Sequence, residues 1–265
     1  MTIFNVSVEG AQVGATDGVD LSGTDLHAHD IRVTNRDEPS FHIALSDRLL
    51  ARVQCVTVKT PAKNILVEDC HCYLSGATAQ LGSFPGETAL ENIVYRRMTG
   101  VNTTNGIRFK GSVQAFGFVR NVTFEDITFA STLYPLGIDG HWLAGRRPGA
   151  PSATPLVYSD IKFINVRGSQ LVEPLFRPAI QFDCDAPGTC IDITIDPSVD
   201  IWSDDGSKMT ASCTFAEGSG ACLAAPGKGT LTSLGWALGT AKATTLLFDG
   251  TPKVIPTGNP FQSNP

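Results

Sequence analysis

The feature that most constrains the fold is a seven-residue segment that opens with Asn or Asp and recurs along the chain. It reads NVSVEGA from Asn5, DLHAHDI from Asp25, NILVEDC from Asn64, NIVYRRM from Asn92, NVTFEDI from Asn121, DIKFINV from Asp160 and DITIDPS from Asp192. Each copy alternates apolar with variable residues, the period of a strand with one buried face. Successive copies start 20 to 39 residues apart, an unevenness that a solenoid of β-coils with variable loops tolerates and a helical repeat does not. Shorter strand-like pieces lie between them, at Ile31-Arg32-Val33, Cys55-Val56-Thr57-Val58 and Gly106-Ile107-Arg108-Phe109. Several strands per coil predict an all-β, right-handed parallel β-helix, in which equivalent positions of adjacent coils stack at about 4.8 Å. An antiparallel sandwich would want two-residue hairpin signals, and these are sparse. The repeat occupies residues 1–223. From Ala224 the sequence passes into Ala, Thr, Gly and Pro, and 224–265 reads as a poorly ordered tail.

Composition narrows the function classes. The chain has 265 residues, with 26 Asp plus Glu against 20 Lys plus Arg. It carries no basic block, so nucleic acid is not expected as a partner. No run of about 18 apolar residues exists, and no membrane partner is expected. Met1 to Asn5 reads as a strand and not as a signal peptide. The cysteines nevertheless suggest an oxidising compartment. Of the seven, Cys184 with Cys190 and Cys213 with Cys222 close small loops containing Gly or Pro, of the kind disulfides staple. Sequons at Asn5, Asn102 and Asn121 agree, although Asn-rich strands also produce such triplets by chance. Cys70 and Cys72 have no second pair at zinc spacing, so no metal is expected, and no cofactor motif is present.

Candidate chemistry sits in carboxylates. Asp17, in Thr16-Asp17-Gly18, lies 20 residues before Asp37, in Asn35-Arg36-Asp37-Glu38. One coil of that length would stack Asp17, Asp37 and Glu38 on a single face. Glycoside hydrolysis needs an acid for the leaving oxygen and a carboxylate for water, and crowding of like charges separates the two roles. Ordinary turn acids are the plain alternative, because Asp-Gly is a common turn sequence. Arg108 and Lys110 alternate along one strand and share a face where they could hold a substrate carboxylate; solvated surface is the plain alternative. Lys59, His141 and Trp142 are weaker candidates, Trp142 as an apolar platform for a sugar ring.

These residues resemble glycoside hydrolase family 28, the polygalacturonases and rhamnogalacturonan hydrolases, and among them the fungal rhamnogalacturonan hydrolases most. The resemblance rests on Thr16-Asp17-Gly18, Asp37-Glu38, Arg108-Phe109-Lys110, the stretch Cys55 to Ser83, DGHW at Asp139 to Trp142, IWSDDGS at Ile201 to Ser207, and the two small Cys loops. It covers residues 3 to 223. It implies a pectin-lyase-like solenoid that is secreted, monomeric and acts on a pectic polysaccharide without a cofactor. It implies further that Asp37 is the general acid, that Asp17 and Glu38 position and deprotonate water with inversion, and that Arg108 and Lys110 bind galacturonate. It also implies disulfides Cys55–Cys72, Cys184–Cys190 and Cys213–Cys222, leaving Cys70 unpaired.

The chain departs from the family in four places. Ser75-Gly76-Ala77-Thr78-Ala79 replaces the Gly-His-Gly of polygalacturonases, which argues against homogalacturonan. Ala15 stands where their Asn precedes Thr-Asp-Gly. Pro39 to Gln54 is wedged between Glu38 and Cys55, where the family runs straight on, and reads as a retained intron or a misplaced exon boundary. Early coils and their cap are missing, so the expectation is an N-terminally truncated solenoid that expresses poorly or turns over little. Against cleavage of the galacturonosyl–rhamnose bond stand a polygalacturonase acting on homogalacturonan or xylogalacturonan, a non-catalytic carbohydrate-binding solenoid and a pectin lyase as the competing readings.

Overall fold

The computed structural model describes residues 1–10, 18–35, 54–142, 150–172, 177–207 and 209–227, and every described element is a strand. In chain order these are β1 (Thr2–Gly10), β2 (Val19–Asn35), β3 (Val56–Tyr73), β4 (Ala77–Gly82), β5 (Glu87–Val101), β6 (Asn105–Lys110), β7 (Phe116–Thr132) and β8 (Tyr134–Asp139). They continue as β9 (Val157–Ile164), β10 (Arg167–Gln170), β11 (Ile180–Asp183), β12 (Cys190–Ile195), β13 (Asp200–Ser203), β14 (Ala211–Thr214) and β15 (Ala216–Ser219). All pair in parallel. The fold is a parallel β-helix, as the repeat requires.

Three faces follow from the pairing. The first runs from the start of β2 through the start of β3 to β4, β6, β8, β11 and β14. The second carries the seven-residue repeats from Asp25 onward, and the third carries the ends of β1, β2, β3, β5 and β7 with β10 and β13, so that the copy at Asn5 falls on the third face. Long strands such as β3 serve more than one face because the chain bends without losing its pairing.

The leading Asn or Asp of the repeat makes that bend. Asn5, Asp25, Asn64, Asn92, Asn121, Asp160 and Asp192 all have φ between 51° and 58°. Asn and Asp enter this left-handed region more readily than other residues with a Cβ. A second corner falls at the sixth position, at Asp30, Asp69, Arg97, Asp126 and Asn165, and by register Asn5 stacks at this corner, beside Asp30, and not with Asp25. The last repeat has Pro197 there, whose ring forbids positive φ. Its corner is a turn in which Asp196 Oδ1 accepts from the Ser198 amide at 2.8 Å and its hydroxyl at 2.6 Å.

Register turns the apolar positions into internal ladders. Ile31, Cys70, Met98 and Ile127 stack at one level, and Val67, Tyr95, Phe124 and Phe163 at another. Ring centroids lie 5.4 Å apart in both the Tyr95–Phe124 and Phe124–Phe163 pairs. Cys70 is therefore a core residue, and burial pushes its thiol up to about 12. The disulfides are Cys55–Cys72, Cys184–Cys190 and Cys213–Cys222. Among the described residues no helix is long and apolar enough to cross a membrane. Ala224 pairs with Glu217, and residues 228–265 of the expected tail lie outside the described residues, as do 36–53.

Candidate functional site

The first face presents alternate residues outward. One outward row, in register, is Asp20, Thr57, Gln80, Arg108, Gly137 and Gln181. The next holds Lys110, Asp139 and Asp183. Between these rows the intervening side chains, Val58, Leu81, Phe109, Ile138 and Phe182, enter the core. Strand alternation thus places Arg108 and Lys110 on one face, as their spacing predicts.

Both cations are nearly enclosed, Arg108 5% and Lys110 2% exposed. Gly137 makes room for the first, since an added Cβ there would collide with Arg108 Nη1. The guanidinium donates to Asp139 Oδ2 and lies 5.5 Å from the Trp142 ring centre and 5.7 Å from that of Tyr134. Its Nε and Nη1 have no acceptor among the described residues, an arrangement that costs free energy until an oxygen meets them. Lys110 Nζ lies 4.6 Å from the Trp142 ring centre. Trp142 therefore covers both cations and is not a bare platform.

Asp139 also fixes the turn that carries Trp142, because the His141 amide donates to its Oδ1 at 3.0 Å. The His141 ring sits between Asp183 at 3.4 Å and Asp185 at 3.5 Å. Burial raises the Asp185 carboxyl above its ordinary range against the opposing pull of His141. Beneath them the Tyr158 hydroxyl is buried and has no partner among the described residues. No group of three His, Cys, Asp or Glu among the described residues is arranged to hold a metal ion.

At the other end of the face, the amides of Gly18 and Val19 donate to the carbonyls of Gln54 and Cys55 at 2.8 and 2.9 Å. Gly18 is required there, because a Cβ would stand within 2.6 Å of both oxygens. The Gln54 side chain is buried. Its Oε1 accepts from Thr57 Oγ1 at 2.5 Å and from Gln80 Nε2. Lys59 lies 3.6 Å from Asp20.

The candidates Asp17, Asp37 and Glu38 lie outside the described residues. Of the sequons, Asn5 and Asn121 are exposed corner residues of the repeat and Asn102 is a half-buried corner with φ of 52°. Asparagine therefore has a conformational reason to be there independent of any glycan. Tyr134, Asp183, Asp185 and Arg177 were missed by sequence reasoning; each joins the face only through register across coils, so no local signal exposes them.

The model of Glycosyl hydrolases family 28 matches residues 1–222. Probable rhamnogalacturonase C of Aspergillus flavus is 36% identical over 83% of this chain and 44% of its own length. Rhamnogalacturonase A of Aspergillus aculeatus is 32% identical over 83% of this chain and 45% of its own, and probable rhamnogalacturonase B of Aspergillus fumigatus is 34% identical over 83% and 38%. The chain spans less than half the length of these curated relatives.

Proposed function

The chain belongs to Glycosyl hydrolases family 28, and from that premise we propose that it derives from a secreted, inverting hydrolase of galacturonate-containing pectin that cuts the galacturonosyl–rhamnose bond of rhamnogalacturonan. The observation that carries the reading is the floor of the first face. Arg108 and Lys110 are held there by Asp139 and Trp142, with the guanidinium Nε and Nη1 lacking an acceptor among the described residues. A guanidinium and an ammonium side by side on one face form a cation pair suited to a uronate carboxylate. Arg108 lies three strand spacings from Asp20, about 14 Å at the ~4.8 Å spacing, so a sugar chain running along the solenoid axis passes over both ends of the face.

In this mechanism Asp37 gives its proton to the glycosidic oxygen as the bond to the anomeric carbon breaks. Asp17 and Glu38 take a proton from the water that attacks the opposite side of that carbon, and the configuration inverts. No cofactor takes part. The disulfides are the reason to place the protein outside the cell.

A second reading, hydrolysis of homogalacturonan or xylogalacturonan, is favoured by the complete Arg108–Lys110 pair. A third, binding without turnover, is favoured by Gln54, an amide in the position immediately before Cys55. Reducing-end release on the separate polymers, with the anomer identified by NMR, tests all three. The proposal expects release from rhamnogalacturonan with inversion and a loss of about 100-fold or more for Asp37→Asn, the scale of general acid catalysis. Release only from homogalacturonan, retention of configuration, or binding unaccompanied by release would overturn it.

A further inference from the structure

The first face holds more positive charge than the Arg108–Lys110 pair. Arg177 precedes β11, and its guanidinium carbon lies 4.9 Å from the Tyr134 ring centre. The same ring is 5.7 Å from the guanidinium carbon of Arg108. Cations and aromatic rings therefore alternate across the site in the order Lys110, Trp142, Arg108, Tyr134, Arg177.

The placement is built into the fold. Gln170 is buried, and its Nε2 donates to the carbonyl of Leu133, just before Tyr134, and to the carbonyl of Arg177, each at 3.0 Å. One side-chain amide thus ties the segment that carries the ring to the segment that carries the second guanidinium. Arg108 and Lys110 are enclosed, whereas Arg177 is partly exposed. Tyr134 lies on β8, which pairs on one side with β6, the strand of Arg108, and on the other with β11, the strand that follows Arg177.

We infer that Arg177 is a further specificity-determining residue, which binds the carboxylate of a second uronate in the same substrate chain, apart from the one that meets Arg108 and Lys110. This rests on the proposed pectic substrate. A polymer with regularly recurring acidic sugars fills both positions at once, and a chain with a single uronate fills one. Gln170 acts as a positioning residue.

The test uses the full 265-residue chain and three probes: acidic rhamnogalacturonan oligomers, the same oligomers with carboxyl groups reduced, and the acidic oligomers at raised salt. Binding is followed by calorimetry, which needs no turnover. Arg177→Gln is expected to weaken binding of the acidic oligomers about tenfold or more, the scale of one charge-assisted hydrogen bond, and to leave binding of the reduced ones unchanged. Arg177→Lys is expected to recover part of the loss, and the acidic probe is expected to bind more weakly at raised salt. If the wild-type chain binds the acidic oligomers and Arg177→Gln binds them equally well, the second uronate position does not exist. The same holds if the variant loses affinity equally for the reduced oligomers. If the wild-type chain binds no pectic oligomer at all, the proposed function itself fails and takes this inference with it.

Discussion

Glu68 shows how single side chains hold the outside of the second face together. Burial favours its neutral acid, but hydrogen bonds from Arg96, His27 and Arg97 outweigh that and bring the carboxyl down to about 2. The contacts are 2.5 Å to Arg96 Nε, 2.7 Å to His27 Nε2 and 2.6 Å to Arg97 Nη2. A carboxyl lowered in the folded state stabilises it fully above the ordinary glutamate value of about 4.3. That contribution fades as pH falls from there through the folded value near 2. Both arginines are partly solvent-exposed, so screening discounts the pair, and Glu68→Gln is expected to cost about 1–2 kcal/mol near neutral pH. Urea unfolding of wild type and variant at several pH values checks this: the gap between their midpoints should close between about pH 4 and pH 2. A gap that persists below pH 2 would show that packing, and not charge, sets the effect. Cys70 illustrates the opposite use of burial, a thiol kept neutral because it is one rung of an apolar ladder.

At the scale of the element, the corner residues matter more than the strands they join. Asn92 combines a left-handed backbone, φ 58°, with two ladder hydrogen bonds. Its Nδ2 donates to Asn64 Oδ1 at 2.9 Å, and its Oδ1 accepts from Asn121 Nδ2 at 2.8 Å. Asn92→Gly keeps the backbone and loses only exposed hydrogen bonds, for an expected cost of about 1 kcal/mol. Asn92→Val adds the strain of a β-branched residue at positive φ and is expected to cost about 2–3 kcal/mol. Equal melting temperatures for the two variants would refute a conformational role for the corner. These corners explain what was legible in the sequence. The repeat is visible because each copy opens with a residue chosen for one φ, and the alternation after it is a strand facing a core. The assignment of strands to three faces was not legible, because β4, β6, β8 and β11 are short and their neighbours are set by coils 23 to 44 residues long. For the same reason Arg108 and Lys110 could be read from one strand, whereas Tyr134 and Arg177 meet only after a full coil intervenes. Pro197 likewise breaks a corner whose repeat otherwise looks intact.

For the whole molecule, stacking requires every coil to return to the same face, and the coil that contains residues 39–54 can be measured against the others by register. Val56 pairs with Val19, 37 positions earlier, whereas Ala79 pairs with Val56 across 23, Ile107 with Ala79 across 28, Leu136 with Ile107 across 29 and Ile180 with Leu136 across 44. Removing residues 39–54 would shorten that coil to 21 positions, near the shortest of the others, and would set Glu38 directly before Cys55. The position is suited to it. The backbone there need only offer a carbonyl to the Gly18 amide, and the side chain there accepts hydrogen bonds from Thr57 and Gln80, which a carboxylate does at least as well as the Gln54 amide. Loop closure changes little with length, so the gain in stability from the shorter coil is expected to be about 1 kcal/mol or less. The effect on chemistry is expected to be far larger, because a carboxylate able to take a proton from water replaces an amide that cannot. The shortened chain should release reducing ends from rhamnogalacturonan at least tenfold faster than the original, and Gln54→Glu in the original chain should recover part of that gain. Equal rates before and after the deletion, with the thermal midpoint unchanged, would mean that the residue before Cys55 has no part in the reaction.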